Sequence, residues 1–200
     1  FLVWDNCNNH CQFCFQRDNP RIFKQIQRKE ALSKCLEFIN SDKFINGSHI
    51  LICGGEIFDN IQNEDMFNRF FKEMVILMNN NIVDLLYINT NLIYENLDVL
   101  MTLLKPMDEN KLLSRVKFTT SYDIEGRFSK KGIELFQRNL KTIKEQFSDI
   151  NIVSNTILTK PCCQAIIDGS FSVKQFMEEY KCWVNLIPYI VKDDKLTANS

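Results

Sequence analysis

His49-Ile-Leu-Ile-Cys53, halted by Gly54-Gly55, is a short apolar run with a turn at its end. Branched aliphatic side chains packed into so few residues predict a strand. Downstream, Met66, Phe67, Phe70, Phe71, Met74 and Met78 recur at helical spacing and predict a helix lying on that strand. The next run, Leu85-Leu-Tyr-Ile88, predicts another strand. This strand, helix, strand unit decides the fold class, because such units close by crossover connections into parallel sheets.

The alternation extends in both directions. Phe1-Leu-Val-Trp4 precedes the unit, and Val116 to Thr120, Ile150 to Leu158 and Trp183 to Ile187 follow it as further strands. Helical stripes lie between them: Leu32, Cys35, Leu36 and Ile39; Leu97, Leu100, Met101 and Leu104; Ile133, Phe136, Leu140, Ile143 and Phe147; Val173, Phe176, Met177 and Tyr180. The stripe from Leu97 should stop before Pro106, which cannot donate within a helix. Six strands and five helices predict an α/β fold with a parallel sheet, either an incomplete barrel or an open doubly wound sheet. In both, chemistry gathers at the carboxyl ends of the strands.

Composition narrows the function classes. The 200 residues are 45% hydrophobic and 24% charged, with a net charge of −1. That supports one folded domain and argues against nucleic acid as the main partner. No apolar stretch approaches the roughly 20 residues of a membrane helix. No basic segment precedes the first apolar run, so no signal peptide is read there. The chain opens on Phe1 within a predicted strand, and reads as a piece of a longer product. Residues 1–192 form the expected core domain, and 193–200 a polar tail or truncation point. Two histidines and no G-x-S-x-G motif argue against a hydrolase.

Eight cysteines are present: Cys7, Cys11, Cys14, Cys35, Cys53, Cys162, Cys163 and Cys182. A chain with this many core residues needs no disulfide staples, so a reducing cytoplasm is expected. Cys35 and Cys53 read as small hydrophobes. Cys7, Cys11 and Cys14 fall in one short loop directly after the first strand, which favours metal ligation. Three thiolates can hold three irons of a [4Fe–4S] cluster and leave the fourth open. The alternative is zinc, with His10 as fourth ligand, but adjacency to Cys11 makes joint chelation awkward.

Cys7-x3-Cys11-x2-Cys14, with Phe13 before the last cysteine and Gly54-Gly55-Glu56 one βα unit later, resembles the radical S-adenosylmethionine superfamily. The resemblance implies a partial (β/α)6 TIM-like barrel spanning nearly the whole chain, with its site at the carboxyl ends of the strands. It implies a [4Fe–4S] cluster on Cys7, Cys11 and Cys14 that reductively cleaves S-adenosylmethionine. The resulting 5′-deoxyadenosyl radical abstracts hydrogen from a substrate. Gly54, Gly55 and Glu56 would receive the methionine ammonium: the glycines let backbone approach, and carbonyl or carboxylate oxygens accept from it. The family often has Pro where this chain has Ile57.

Further matches lie at other strand ends. Asn91 stands in Asn89-Thr-Asn91, where relatives carry Thr-Asn-Gly; here Leu92 replaces the Gly. Ser121 and Asp123 match a Ser-x-Asp near the cofactor's ribose or carboxylate. Arg127 would pair with the methionine carboxylate, or is a solvated loop charge. Asn155 would contact the cofactor, and the backbone at Pro188-Tyr189 the adenine, or the two simply end the strand. Implied partners are a reductant such as flavodoxin or ferredoxin and a peptide, protein or small-molecule substrate.

The motifs lean towards peptide or protein modification. The alternative is a viperin-like nucleotide- or nucleobase-modifying enzyme, for which Lys130-Lys131-Gly132 at a helix start could serve as phosphate site, although these residues read first as a solvated loop. A non-catalytic iron–sulfur electron-transfer or metal-binding module is the reading from another class. Cys162, Cys163 and Cys182 have no motif spacing, and an auxiliary cluster on them is not the expectation. His49 precedes its strand and reads as structural.

Overall fold

The computed structural model describes residues 1–4, 7–9, 11, 14, 28–58, 65–124 and 128–188. Six strands are present: β1 (Leu2–Trp4), β2 (Ser48–Gly54), β3 (Val83–Asn89), β4 (Val116–Ser121), β5 (Asn151–Leu158) and β6 (Trp183–Pro188). Described helices are α1 (Arg28–Ile39), α2 (Asp65–Asn79), α3 (Asp98–Glu109), α4 (Lys130–Gln146), α5 (Lys160–Ile167) and α6 (Val173–Tyr180), with a 3-10 turn at Leu113–Arg115.

The strands form one sheet in the order β1-β2-β3-β4-β5-β6, and every neighbouring pair is parallel. The protein is therefore α/β with a parallel sheet. The order follows the chain without a reversal, so these strands contain no switch point of the doubly wound kind. α1 packs on α2, α2 on α3 and α4 on α6, while α5 lies against β5 and α6 against β6.

Strand alternation sorts the side chains. Ile50, Ile52, Leu86, Ile88, Val116 and Phe118 point into the core. Phe67, Phe70, Phe71, Met74 and Met78 of α2, Leu100, Leu104 and Met107 of α3, and Phe136, Leu140 and Ile143 of α4 join them there. The opposite face carries Leu51, Lys117, Asn155 and Trp183, none of them buried. Lys117 lies over the Tyr87 ring, 5.5 Å from its centre.

The helices depart from the sequence reading at two places. α3 does not stop before Pro106 but runs through it to Glu109. The proline forfeits one internal hydrogen bond, and burial of Met107 at 0% exposure offsets that loss. Asn110 then closes the end, with its backbone N–H and its side-chain amide both donating to the Pro106 carbonyl. The second departure lies between β5 and β6, where the sequence predicts one helix and two are present. The additional one, α5, starts at a Thr159 cap whose hydroxyl accepts from the Cys162 N–H, with Pro161 in the first turn. Cys162, in the first turn of this helix, is fully buried.

Candidate functional site

The loops after β2 and β3 meet through a buried carboxylate. Glu56, just beyond β2, is 0% exposed. Its Oε1 accepts from the Phe58 N–H at 3.1 Å and from the Thr90 hydroxyl at 2.8 Å. Its Oε2 accepts from the Asn91 N–H. A carboxylate held by three donors serves to position chain. Glu56 is thus turned inward, while Gly54 and Gly55 remain half-exposed beside it. Of the two acceptors expected in this turn, the glycine backbone is the one left accessible.

The loop after β3 has an uncommon backbone. Leu92 adopts φ +57°, the left-handed region, at 0% exposure. Leu92 stands where the superfamily that the sequence resembles carries glycine, and the backbone nevertheless takes a conformation glycine favours. The strain, about 1 kcal/mol, is held by hydrogen bonds on every side. The Leu92 N–H donates to Thr90 Oγ1, and the Ile93 N–H donates to Asn91 Oδ1. Asn139 of α4 donates to the carbonyls of both Leu92 and Tyr94, at 2.9 and 2.8 Å. Burial, with the Glu56 charge added, holds the Tyr94 phenol well above its ordinary pKa, so the hydroxyl stays neutral.

Asn91 carries the link onward to the cysteine loop. Its Nδ2 donates to Asn8 Oδ1 at 2.8 Å and faces Cys7 Sγ at 3.8 Å. Asn8 Nδ2 donates to the Ile93 carbonyl at 2.6 Å. Within the loop, the Cys14 N–H donates to the Cys11 carbonyl, and Asn9 Nδ2 to Cys11 Sγ. Burial pushes the Cys7 thiol up to about 11; a backbone bond from Asn9 opposes this, and the charges of Glu56, Cys11 and Cys14 add to it. The three sulfurs and the Glu56 carboxylate therefore share one electrostatic neighbourhood.

Among the described residues, no three His, Cys, Asp or Glu side chains are gathered into a group able to hold a metal ion. The donor chemistry still fits an iron–sulfur cluster. Three thiols sit on one loop and amide N–H groups face two of their sulfurs, as thiolate ligands favour. The loop would have to draw its thiols together on loading. None of the eight cysteines forms a disulfide.

A second group of expected residues lies at the ends of β4 and β5. Ser121 and Asn155 are register partners, and Asn155 pairs in turn with Asn185 of β6. Asn185 Nδ2 donates to Asn155 Oδ1 at 3.3 Å. Asp123 is 0% exposed, and its Oδ1 accepts from the Ile157 N–H at 2.7 Å. Like Glu56, it ties the end of one strand to the next. Phe13, Arg127 and Tyr189, with His10, lie outside the described residues.

The sequence reading missed Asn8, Asn139 and Asn185, because no local spacing marks an asparagine whose partners lie 30 to 85 residues away. Lys131, half of the alternative phosphate site, is ion-paired with Glu95. His49 pairs with Asp84 at the opposite, amino-terminal end of the strands. Among the described residues, no helix is long and apolar enough to cross a membrane. In comparison with known proteins, no family model and no curated protein matches this chain.

Proposed function

We propose that the chain is the core of a radical S-adenosylmethionine enzyme, a partial (β/α)6 barrel working in a reducing cytoplasm. The observation that carries this reading is the continuous link from the Gly54-Gly55-Glu56 turn through Asn91 to Cys7. An electron-transfer module needs its cysteines, but it has no use for a Gly-Gly-Glu turn locked to them. The unreversed strand order is the one a partial barrel has.

In this reading Cys7, Cys11 and Cys14 hold three irons and leave the fourth for S-adenosylmethionine. Glu56 spends its carboxylate on Thr90 and Asn91, and so presents the Gly54-Gly55 backbone to the methionine ammonium. Ser121 and Asn155 offer polar groups to the ribose end, and Asp123 holds their strands in register. Phe13, Arg127 and Tyr189 complete the expected set. When bound, the cluster and cofactor supply one-electron cleavage of the sulfonium and hydrogen abstraction from a substrate. A small reductant of the flavodoxin or ferredoxin kind provides the electron.

The substrate we favour is a peptide or protein. Trp183 and Ile187, on one face of β6, are exposed and give an extended chain an apolar surface. The Lys131–Glu95 pair weakens the nucleotide alternative.

The test is 5′-deoxyadenosine formation after anaerobic reconstitution, with dithionite and S-adenosylmethionine added. Wild type should form it and Cys14→Ala should not. Undiminished product from Cys14→Ala would overturn the mechanism.

A further inference from the structure

The side chains of Asn8 and Asn91 close a ring between the loops after β1 and β3. Asn91 Oδ1 accepts from the Ile93 N–H, Asn91 Nδ2 donates to Asn8 Oδ1, and Asn8 Nδ2 donates to the Ile93 carbonyl. The chemistry of Ile93 fixes both amide orientations. A backbone N–H only donates, so it must meet Asn91 Oδ1; a carbonyl only accepts, so it must meet Asn8 Nδ2. With both amides fixed, an Asn91 N–H remains for Cys7 Sγ at 3.8 Å. The Asn91 backbone is itself held by the buried Glu56 carboxylate. Three strand ends therefore converge on one sulfur.

We infer that Asn91, locked by Asn8, is a positioning residue that sets the place of Cys7 and raises the reduction potential of the cluster it ligates. This inference rests on the proposed function. A hydrogen bond to a ligating sulfur stabilises the more negative, reduced cluster, because it delocalises charge that the electron adds. Such a bond weakens steeply with distance, and the Asn8 lock holds the amide close. The same arrangement ties the Gly54-Gly55-Glu56 turn to the sulfur, so the two halves of the site move as a unit.

The experiment is a midpoint-potential titration of anaerobically reconstituted protein, followed by electron paramagnetic resonance. Asn91→Ser keeps an oxygen to accept the Ile93 N–H and removes the donor facing Cys7. Asn91→Asp keeps the shape, and replaces the donor by a carboxylate. Both are expected to titrate at a lower potential than wild type, with the larger displacement in Asn91→Asp. Far-ultraviolet circular dichroism checks that each variant is folded.

A folded variant that loses iron where wild type retains it reports the same clamp through the placing of Cys7. Variants that hold the cluster at the wild-type potential would overturn the inference and leave the proposed function standing. A wild-type protein that takes up no cluster would remove the functional reading, and this inference with it.

Discussion

Two regions of the sheet bury polar groups equally deeply and treat them in opposite ways. Beside β2 and β3, Glu56 is fully buried and meets donors from Phe58, Thr90 and Asn91. Across β4 and β5, Thr120, Ser154 and Thr156 are as buried, yet their hydroxyls have no hydrogen-bond partner among the described residues. Thr120 and Ser154 are register partners on the helix-facing side of the sheet. Leaving a hydroxyl unsatisfied costs about 1–3 kcal/mol, so this strip weakens the fold. The difference teaches which buried polarity builds architecture. The satisfied group joins the loops after β2 and β3 where chemistry is expected; the unsatisfied hydroxyls lie under helices and join nothing among the described residues.

Substitutions should separate the regions. Glu56→Ala leaves three donors stranded and should cost about 4 kcal/mol in urea unfolding. Glu56→Gln retains one oxygen acceptor and should cost about half as much. A loss under about 1 kcal/mol for Glu56→Ala would show that the carboxylate does not organise the loops. Asn139→Ala strands the carbonyls of Leu92 and Tyr94 in the same region, and about 2 kcal/mol is expected. The Asn139 result also reads out the left-handed Leu92, since the two bonds flank its strained backbone.

In the other region the expected sign reverses. Thr156→Val replaces an unpaired hydroxyl by a methyl of nearly the same size, and should be neutral or stabilise by up to about 1 kcal/mol. A clear loss of stability would mean the hydroxyl has a partner, and the contrast would fail.

The smallest effect concerns a core cysteine. Burial pushes the Cys35 thiol up to about 12, from an ordinary value of 9.0. Its folded pKa is raised, so the stability it contributes is fully present below the unfolded value. That contribution is lost as pH rises from about 9 through the folded value of about 12. Cys35→Ala should flatten the alkaline slope of stability, measured by urea unfolding from pH 8 upwards. An unchanged slope would remove Cys35 as its source.

Much of this was legible in the residues. Short apolar runs located all six strands, and their order along the chain is their order in the sheet. The Cys7 to Cys14 spacing and Gly54-Gly55-Glu56 marked two loops, which hydrogen bonds connect by way of Asn91. The role of the Glu56 side chain was less legible, because its partners Thr90 and Asn91 are 34 and 35 residues away. Leu92 hid a glycine-like backbone behind a side chain that reads as core. Pro106 and α5 show the limit of local rules: Met107 burial carries one helix past its proline, and a threonine cap starts another in a stretch with no strong apolar stripe.

The central claim is that Cys7, Cys11 and Cys14 hold a cluster with one iron open to the ligand presented by Gly54-Gly55. Electron paramagnetic resonance of the anaerobically reconstituted, dithionite-reduced protein tests it most directly, recorded before and after S-adenosylmethionine is added. The account predicts a [4Fe–4S] signal that changes when the cofactor binds. Stoichiometric zinc without iron, or a cluster signal indifferent to the cofactor, would contradict it.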